Sequence, residues 1–249
     1  MRASHHLGLE GARIIQTEPL LLTERALSDL LDALAMGVLH GPAGSGKTFA
    51  AALAAGAQRA DCCWVQFPSR PTMLHVAKRL LTQLTGTVPR RANRFDLSEE
   101  LIDVLSSRER LLVVDEAQWL NRECIEYLRH LHDDPSTRFA LLLVGGDGCW
   151  EVLSREPMLR SRIYRRVRFG AMSAQTVLVV IPNYHAIYRD ASPELLLLID
   201  DRYAHGTFRE WASFTRSAQV LCHEQREDRV TQEIVDAVLG LQAADAQHA

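Results

Sequence analysis

The chain has 249 residues, a formal net charge of −3, 47% hydrophobic and 24% charged residues. That is long enough to bury one sizeable core, and ordinary for a globular protein. A polycation that holds nucleic acid by bulk charge is excluded, so any such contact needs a local patch. The longest apolar runs, TVLVVI and LLLLI, are far too short to span a bilayer, and the start MRASHHLGLEGAR has no apolar signal region. The five cysteines are odd in number and contain no CxxC pair. Together these features predict reduced thiols, a cytoplasmic protein and no membrane partner.

In chain order, residues 1–22 carry no clear period and are read as an N-terminal arm. TERALSDLLDALAM then offers Thr23 as the cap of a helix. GVLHG is a short buried strand that runs into a glycine loop, and a helix is expected from Gly46 to about Gln58. CCWVQF reads as a strand, TMLHVAKRLLTQL as an amphipathic helix, TGTVPRRANRFD as a loop and LSEELIDVLSS as a helix. RLLVVDEAQ is a buried strand ending in two acids. It is followed by a helix capped by Asn121, the buried strand RFALLLVGG, the short helix CWEVLSRE and a fifth strand at RRVRFGAM. Continuous apolar strands alternating with helices predict an α/β domain, a parallel five-stranded sheet flanked by helices over residues 23–172. After Met172 the pattern becomes helical, which predicts a small helical subdomain at 173–249. Within it SAQTVLVVIPNYHAIYRD is ambiguous, because its β-branched centre favours strand while its surroundings favour helix.

The residues Gly41, Pro42, Ala43, Gly44, Ser45, Gly46, Lys47 and Thr48 match G-x-x-x-x-G-K-[ST] in full, between an expected strand and an expected helix, and with Phe49 they are the expected nucleotide-binding residues. Glycines let backbone N–H groups wrap phosphates, a lysine supplies charge to the β/γ oxygens, and a hydroxyl ligates Mg²⁺. Asp115, closing its strand, is the second expected metal partner, and Glu116 the expected general base for an attacking water. The strand ALLLVGGD ends at Gly146-Asp147. Asp147 is the nearest candidate to sense the γ-phosphate, although an acid there is less usual than Asn, Ser or Thr. Arginines crowd LRSRIYRRVRFG at 160, 162, 165, 166 and 168. One of them is expected to reach a neighbouring subunit's nucleotide, where a guanidinium stabilises charge on the transferring phosphoryl group. Arg209, in HGTFREW, is a second candidate for the γ-phosphate. His130 and His132 are two apart on a helix and share no face, so they suggest no metal centre.

The order of glycine loop, DEAQ, VGG strand, arginine cluster and helical lid with G-x-x-R resembles the AAA+ ATPases. LVGGDGCWEVLSREPMLRSRIYRRVRFGAMS is similar to the branch that holds the ExeA-type ATPases and the transposition helpers of the MuB, TniB and TnsC type. The resemblance implies a P-loop AAA+ fold, with ATP and Mg²⁺ as cofactors and hydrolysis to ADP and phosphate. It favours Arg162 as the arginine finger, with Arg160 next, and makes Arg209 the sensor arginine of the lid. The strand end at 146–147 departs from the pattern. It further implies a homo-oligomeric ring or helical filament on double-stranded DNA, without strong sequence preference, that recruits or activates a transposase. The positions matching the inner, DNA-facing surface are Arg70 in PSRPT and Thr87, Arg90, Arg91 and Arg94 in the TGTVPRRANR loop, with Lys78 and Arg79 on the helix between. Two alternatives remain open: a nucleotide-gated protein-interaction or signalling switch of ExeA-like or STAND-like type, and a replication loader or initiator.

Overall fold

The computed structural model describes residues 5–58, 60–90 and 93–247. They divide into two compact units, one of residues 19–43 and 47–169, the other of residues 5–18, 44–46 and 170–247.

The first unit is built on five strands, β1 (Met36–His40), β2 (Cys62–Gln66), β3 (Arg110–Asp115), β4 (Phe139–Gly145) and β5 (Ile163–Arg168). All neighbouring pairs are parallel, in the order β2-β3-β4-β1-β5. Alternation along the central strands divides the core in two. Leu112 and Val114 of β3 and Leu141 and Leu143 of β4 point to one face. Leu111 and Val113, with Ala140, Leu142 and Val144, point to the other. A sheet covered on both faces needs apolar residues at consecutive positions, which is why these strands read as continuous runs. The first face packs against α3 (Met73–Thr85), α4 (Arg94–Ser106), α5 (Arg122–Asp133), α6 (Cys149–Ser154) and α7 (Pro157–Arg160). The second packs against α1 (Glu18–Ala33) and α2 (Lys47–Ala57). Side-chain caps set three of these helices, with Asn93 accepting from the Phe95 N–H at the start of α4. Thr72 accepts from the His75 N–H at 3.2 Å, and Asn121 from the Cys124 N–H at 2.9 Å.

The second unit is helical: α8 (Ala174–Tyr184), α9 (Pro193–Ile199) running into a π-helical turn (Asp200–Ala204), α10 (Phe208–Gln225) and α11 (Gln232–Gln247). Its core is centred on Trp211, Phe214 and Tyr188, with the Tyr188 and Trp211 rings edge to face at 5.5 Å. The ambiguous segment from Ser173 is a helix. Ser173 caps it by accepting from the Thr176 N–H at 3.2 Å, and its β-branched residues Val177, Val180 and Ile181 fill this core.

The N-terminal segment differs from the expected arm. Leu9 is buried in the second unit's core, and the Arg13 N–H donates to Tyr184 O at 2.8 Å. The helix expected to start at Thr23 starts at Glu18. Thr23 is buried inside it, its hydroxyl turned back to Pro19 O at 2.7 Å, so it does not act as a cap. Among the described residues no helix is long and apolar enough to cross a membrane.

His185 ties residues 5–18 to the helices. It is buried, its Nδ1 accepts from the Ile187 N–H at 3.3 Å, and its Nε2 lies 3.1 Å from Glu10 O and 3.1 Å from Gln219 Nε2. Burial, with the Arg13 charge adding to it, holds the imidazole pKa below its ordinary 6.5, against the Glu10 carbonyl, which raises it. The unfolded chain therefore takes up the proton first, and stability present above pH ~6.5 is lost as pH falls through the lower folded value. Thermal melts at pH about 7.5 and about 5.5 should show a drop in midpoint that is smaller in His185→Gln. An equal drop in both proteins contradicts the role given to His185.

Candidate functional site

The carboxyl ends of β1, β3 and β4 hold the residues singled out from sequence. In an open parallel sheet this edge is where ligands sit, because the chain leaves each strand there by a loop that is free to vary. After β1 the backbone turns at once. Gly41 has φ +143°, and a Cβ there would lie 2.1 Å from Phe169 O, so no other residue fits. Gly44 and Gly46 also take positive φ, 77° and 93°. The loop thus curls its backbone and delivers the chain to α2, whose first residue is Lys47. An alanine-rich helix follows, with Ala50, Ala51 and Ala54 packed into the second sheet face. The N–H groups of its first turn have no partner within the helix and attract anions.

Lys47 is buried, and its Nζ donates to Pro42 O at 2.6 Å, which folds the side chain back over the loop. The Thr48 hydroxyl lies 3.2 Å from Asp115 Oδ2 and 3.4 Å from Oδ1. Because β4 lies between β1 and β3 in the sheet, this pairing crosses the end of a strand. Asp115 is buried, and burial pushes its carboxyl pKa up. The Glu116 N–H, donating to Oδ1 at 2.9 Å, and the Thr48 hydroxyl pull it back down. A hydroxyl and a carboxylate at this separation form an all-oxygen donor set, which suits Mg²⁺.

Glu116 stands just past the strand in the left-handed region, φ 56° and ψ 39°. That conformation is costly for a residue with a side chain, and it turns the Glu116 carboxylate away from the strand direction. A single 3₁₀ turn, Ala117–Trp119, follows. Gln118, in that turn, is a site residue that the sequence pattern does not single out. Its Nε2 donates to Glu116 Oε2, and its Oε1 accepts from the Gly146 N–H at 2.9 Å. DEAQ advertises its two acids, and only the fold brings its fourth residue to the end of β4. Asp147, the sequence candidate at that end, is exposed in the turn beyond.

The arginines sort by their surroundings. Arg162 Nε is bonded to Asp133 Oδ1 at 2.6 Å and its Nη1 to Met158 O at 3.0 Å. Asp133 also accepts from Arg129 at 2.5 Å. Arg165 pairs with Asp29 at 2.7 Å, and the Arg166 guanidinium lies 4.5 Å from the Trp150 ring centroid. Arg160, at the end of α7, is exposed, and its side chain has no hydrogen bond or ion pair among the described residues. In the second unit the Arg209 N–H donates to Gly44 O at 3.1 Å, and the side chain is exposed.

The expected DNA-facing residues fall in the first unit. Arg70, φ 54°, Arg79, Thr87 and Arg90 are exposed, and Lys78 is half-buried. Arg90 shares a groove with Thr87, Val88 and Pro89 and with Glu99, Glu100 and Asp103 of α4. Arg91 lies outside the described residues, and so does the side chain of Arg94.

The sheet order, the glycine loop opening a helix and the acid pair on β3 define a P-loop AAA+ fold. Residues 32–153 match the family model for an AAA domain. The fold is similar to that of the Aeropyrum pernix ORC2 protein in its ADPNP–ADP complexes, with a TM-score of 0.66 at 20% identity over 92% of this chain and 69% of that one. It is similar also to the Thermotoga maritima RuvB Holliday junction branch migration motor (TM-score 0.61, 19% identity, 92% and 70% covered). A third likeness is to the Aeropyrum pernix ORC1 protein in complex with DNA (TM-score 0.65, 18% identity, 93% and 66% covered). None of the curated proteins matches the chain.

A buried carboxylate whose pKa is raised binds its proton more tightly folded than unfolded, so stability is lost as pH rises through the folded value. Burial raises the Asp115 pKa, so its ionised form costs stability in the ligand-free protein. Asp115→Asn should therefore raise the ligand-free melting midpoint by a few degrees. A lowered midpoint in the ligand-free variant contradicts this account of Asp115.

Proposed function

We propose that the chain is an ATPase that assembles as a homo-oligomer on duplex DNA. The observation that carries the nucleotide half is the meeting of Thr48 with Asp115 at 3.2 Å, beside a buried Lys47 at the opening of α2. In this reading the loop N–H groups and Lys47 hold the phosphates, and Thr48 and Asp115 hold Mg²⁺. Bound Mg²⁺–ATP supplies the phosphoanhydride bond whose hydrolysis is the reaction. Glu116 polarises the water that attacks it. Arg209 is proposed as the sensor arginine on the strength of the resemblance alone. Two arginines are candidates to act in trans, Arg162 first and Arg160 next by the resemblance. Arg160 is exposed and uncommitted, whereas Arg162 must first leave Asp133. An exposed pair of that kind is worth about 1 kcal/mol or less, so Arg162 stays available at a modest cost.

The DNA half is supported by the exposed Arg70 and Arg79, with the half-buried Lys78 on the same stretch, and by the DNA that accompanies the structurally similar ORC1 protein. Arg90 contributes less, because three carboxylates of α4 share its groove. The client protein is a finer question. A transposase partner rests on the sequence resemblance of residues 143–173. A replication-initiator role is favoured by the likeness to the ORC proteins.

ATP turnover measured with and without random-sequence duplex tests both halves. Turnover should rise on DNA, and Glu116→Gln should bind ATP yet lose about a hundredfold or more in kcat. Binding followed by fluorescence anisotropy should be tighter with ATP than with ADP. In Arg70→Ala/Arg79→Ala its salt slope should fall by about 0.9 for each phosphate left without its cation, alike on unrelated sequences. Wild-type turnover in Glu116→Gln overturns the nucleotide half, and an unchanged salt slope overturns the DNA half.

A further inference from the structure

The end of β4 lies beside the acid pair in the sheet and is where a side chain would be expected to report on the γ-phosphate. It carries glycine at 145 and 146. Gly145 is enforced by packing, since a Cβ there would lie 2.2 Å from Cys149 Sγ. Gly146 offers only its backbone, and that N–H is already given to Gln118 Oε1 at 2.9 Å. The other end of the same amide donates to Glu116 Oε2. One side chain thus spans from the water-polarising carboxylate to the tip of the neighbouring strand. Its position is fixed from both sides, by the 3₁₀ turn that begins after the left-handed Glu116 and by the buried Ala117 that anchors that turn in the core.

We infer that Gln118 is the positioning residue of Glu116, and that with the Gly146 amide it forms a two-part relay in place of a polar side chain at the end of β4. The inference rests on the ATPase reading above. The Glu116 carboxylate, held in a strained left-handed position, takes a side-chain hydrogen bond from this amide, and its aim depends on it. Both groups of the amide are used, one as donor and one as acceptor. Any displacement of the β4 tip is therefore passed to the carboxylate through a rigid planar group. A shift of about 1 Å at a reacting group can cost about a hundredfold in rate, so a bond of this kind is enough to gate turnover.

The test separates hydrogen bonding from packing. Gln118→Met keeps the length and removes both polar groups. Gln118→His restores one donor and one acceptor on a planar ring. Gln118→Met should lower kcat about tenfold or more while KM for ATP and the affinity for a non-hydrolysable ATP analogue stay within about twofold. Gln118→His should recover part of the loss. A merely structural role would instead lower the melting midpoint and weaken analogue binding together with kcat. Wild-type kcat in Gln118→Met overturns the inference, and so does a loss of analogue binding as large as the loss of kcat. Either result leaves the ATPase reading intact, because the wild-type protein still turns over. Absence of turnover in the wild type overturns that reading, and this inference with it.

Discussion

A carboxylate has been taken out of water at the end of a strand. Asp115 closes β3 with every residue of that strand buried, and an ionised group there costs several kcal/mol unless polar partners replace its hydration. The partners come from two directions: the Glu116 N–H from its own chain, and the Thr48 hydroxyl from the start of α2 across the end of β4. Neither abolishes the cost, since burial still raises the pKa of the group. In the proposed function a divalent cation completes this site. The surrounding geometry follows from reaching that carboxylate. β1 must lie one strand away, the loop after it must turn without a side chain at Gly41, and α2 must open at Lys47.

The same constraint separates the rigid parts of the site from the adjustable ones. The strands and the first turn of α2 are held by two apolar sheet faces, and large displacements there would open the core. Glu116, Gln118 and Gly146 are joined by hydrogen bonds at the edge of that core, where small shifts are cheap. The guanidinium groups of Arg162 and Arg165 are held by half-exposed ion pairs worth about 1 kcal/mol or less each. In the proposed function, binding falls to this stiff part of the molecule and hydrolysis to the parts that can be re-aimed.

Most of the fold is legible in the sequence because parallel strands buried on both faces leave an unmistakable trace. RLLVVD and FALLLVG have no alternation to hide, and the apolar runs mark both strands to within a residue or two. The glycine loop is legible for the opposite reason, that its residue types are forced by backbone geometry. What fails to show depends on tertiary packing. SAQTVLVVIPNY has strand-like residues but is helical, because Ser173 caps it and its branched side chains face a helical core. Thr23 has the chemistry of a cap yet sits inside α1, where its hydroxyl bonds back along the helix. Leu9 lies in the short, glycine-punctuated stretch HLGLEG, which holds too few residues for a period to reveal that it is buried. Arg162 looks free in sequence because its partner Asp133 lies far back in the chain at the end of α5, and Gln118 looks incidental because Gly146 lies past a different strand.

The central claim is that this sheet edge is a Mg²⁺-dependent nucleotide site. Isothermal titration of the full chain with a non-hydrolysable ATP analogue, with Mg²⁺ and then in the presence of a chelator, measures it directly. One site per chain is predicted with Mg²⁺ present, and a fall of about tenfold or more in affinity without it, because Thr48 and Asp115 then face the phosphates with no cation between them. Binding of equal strength under the two conditions, or no binding in either, would contradict it.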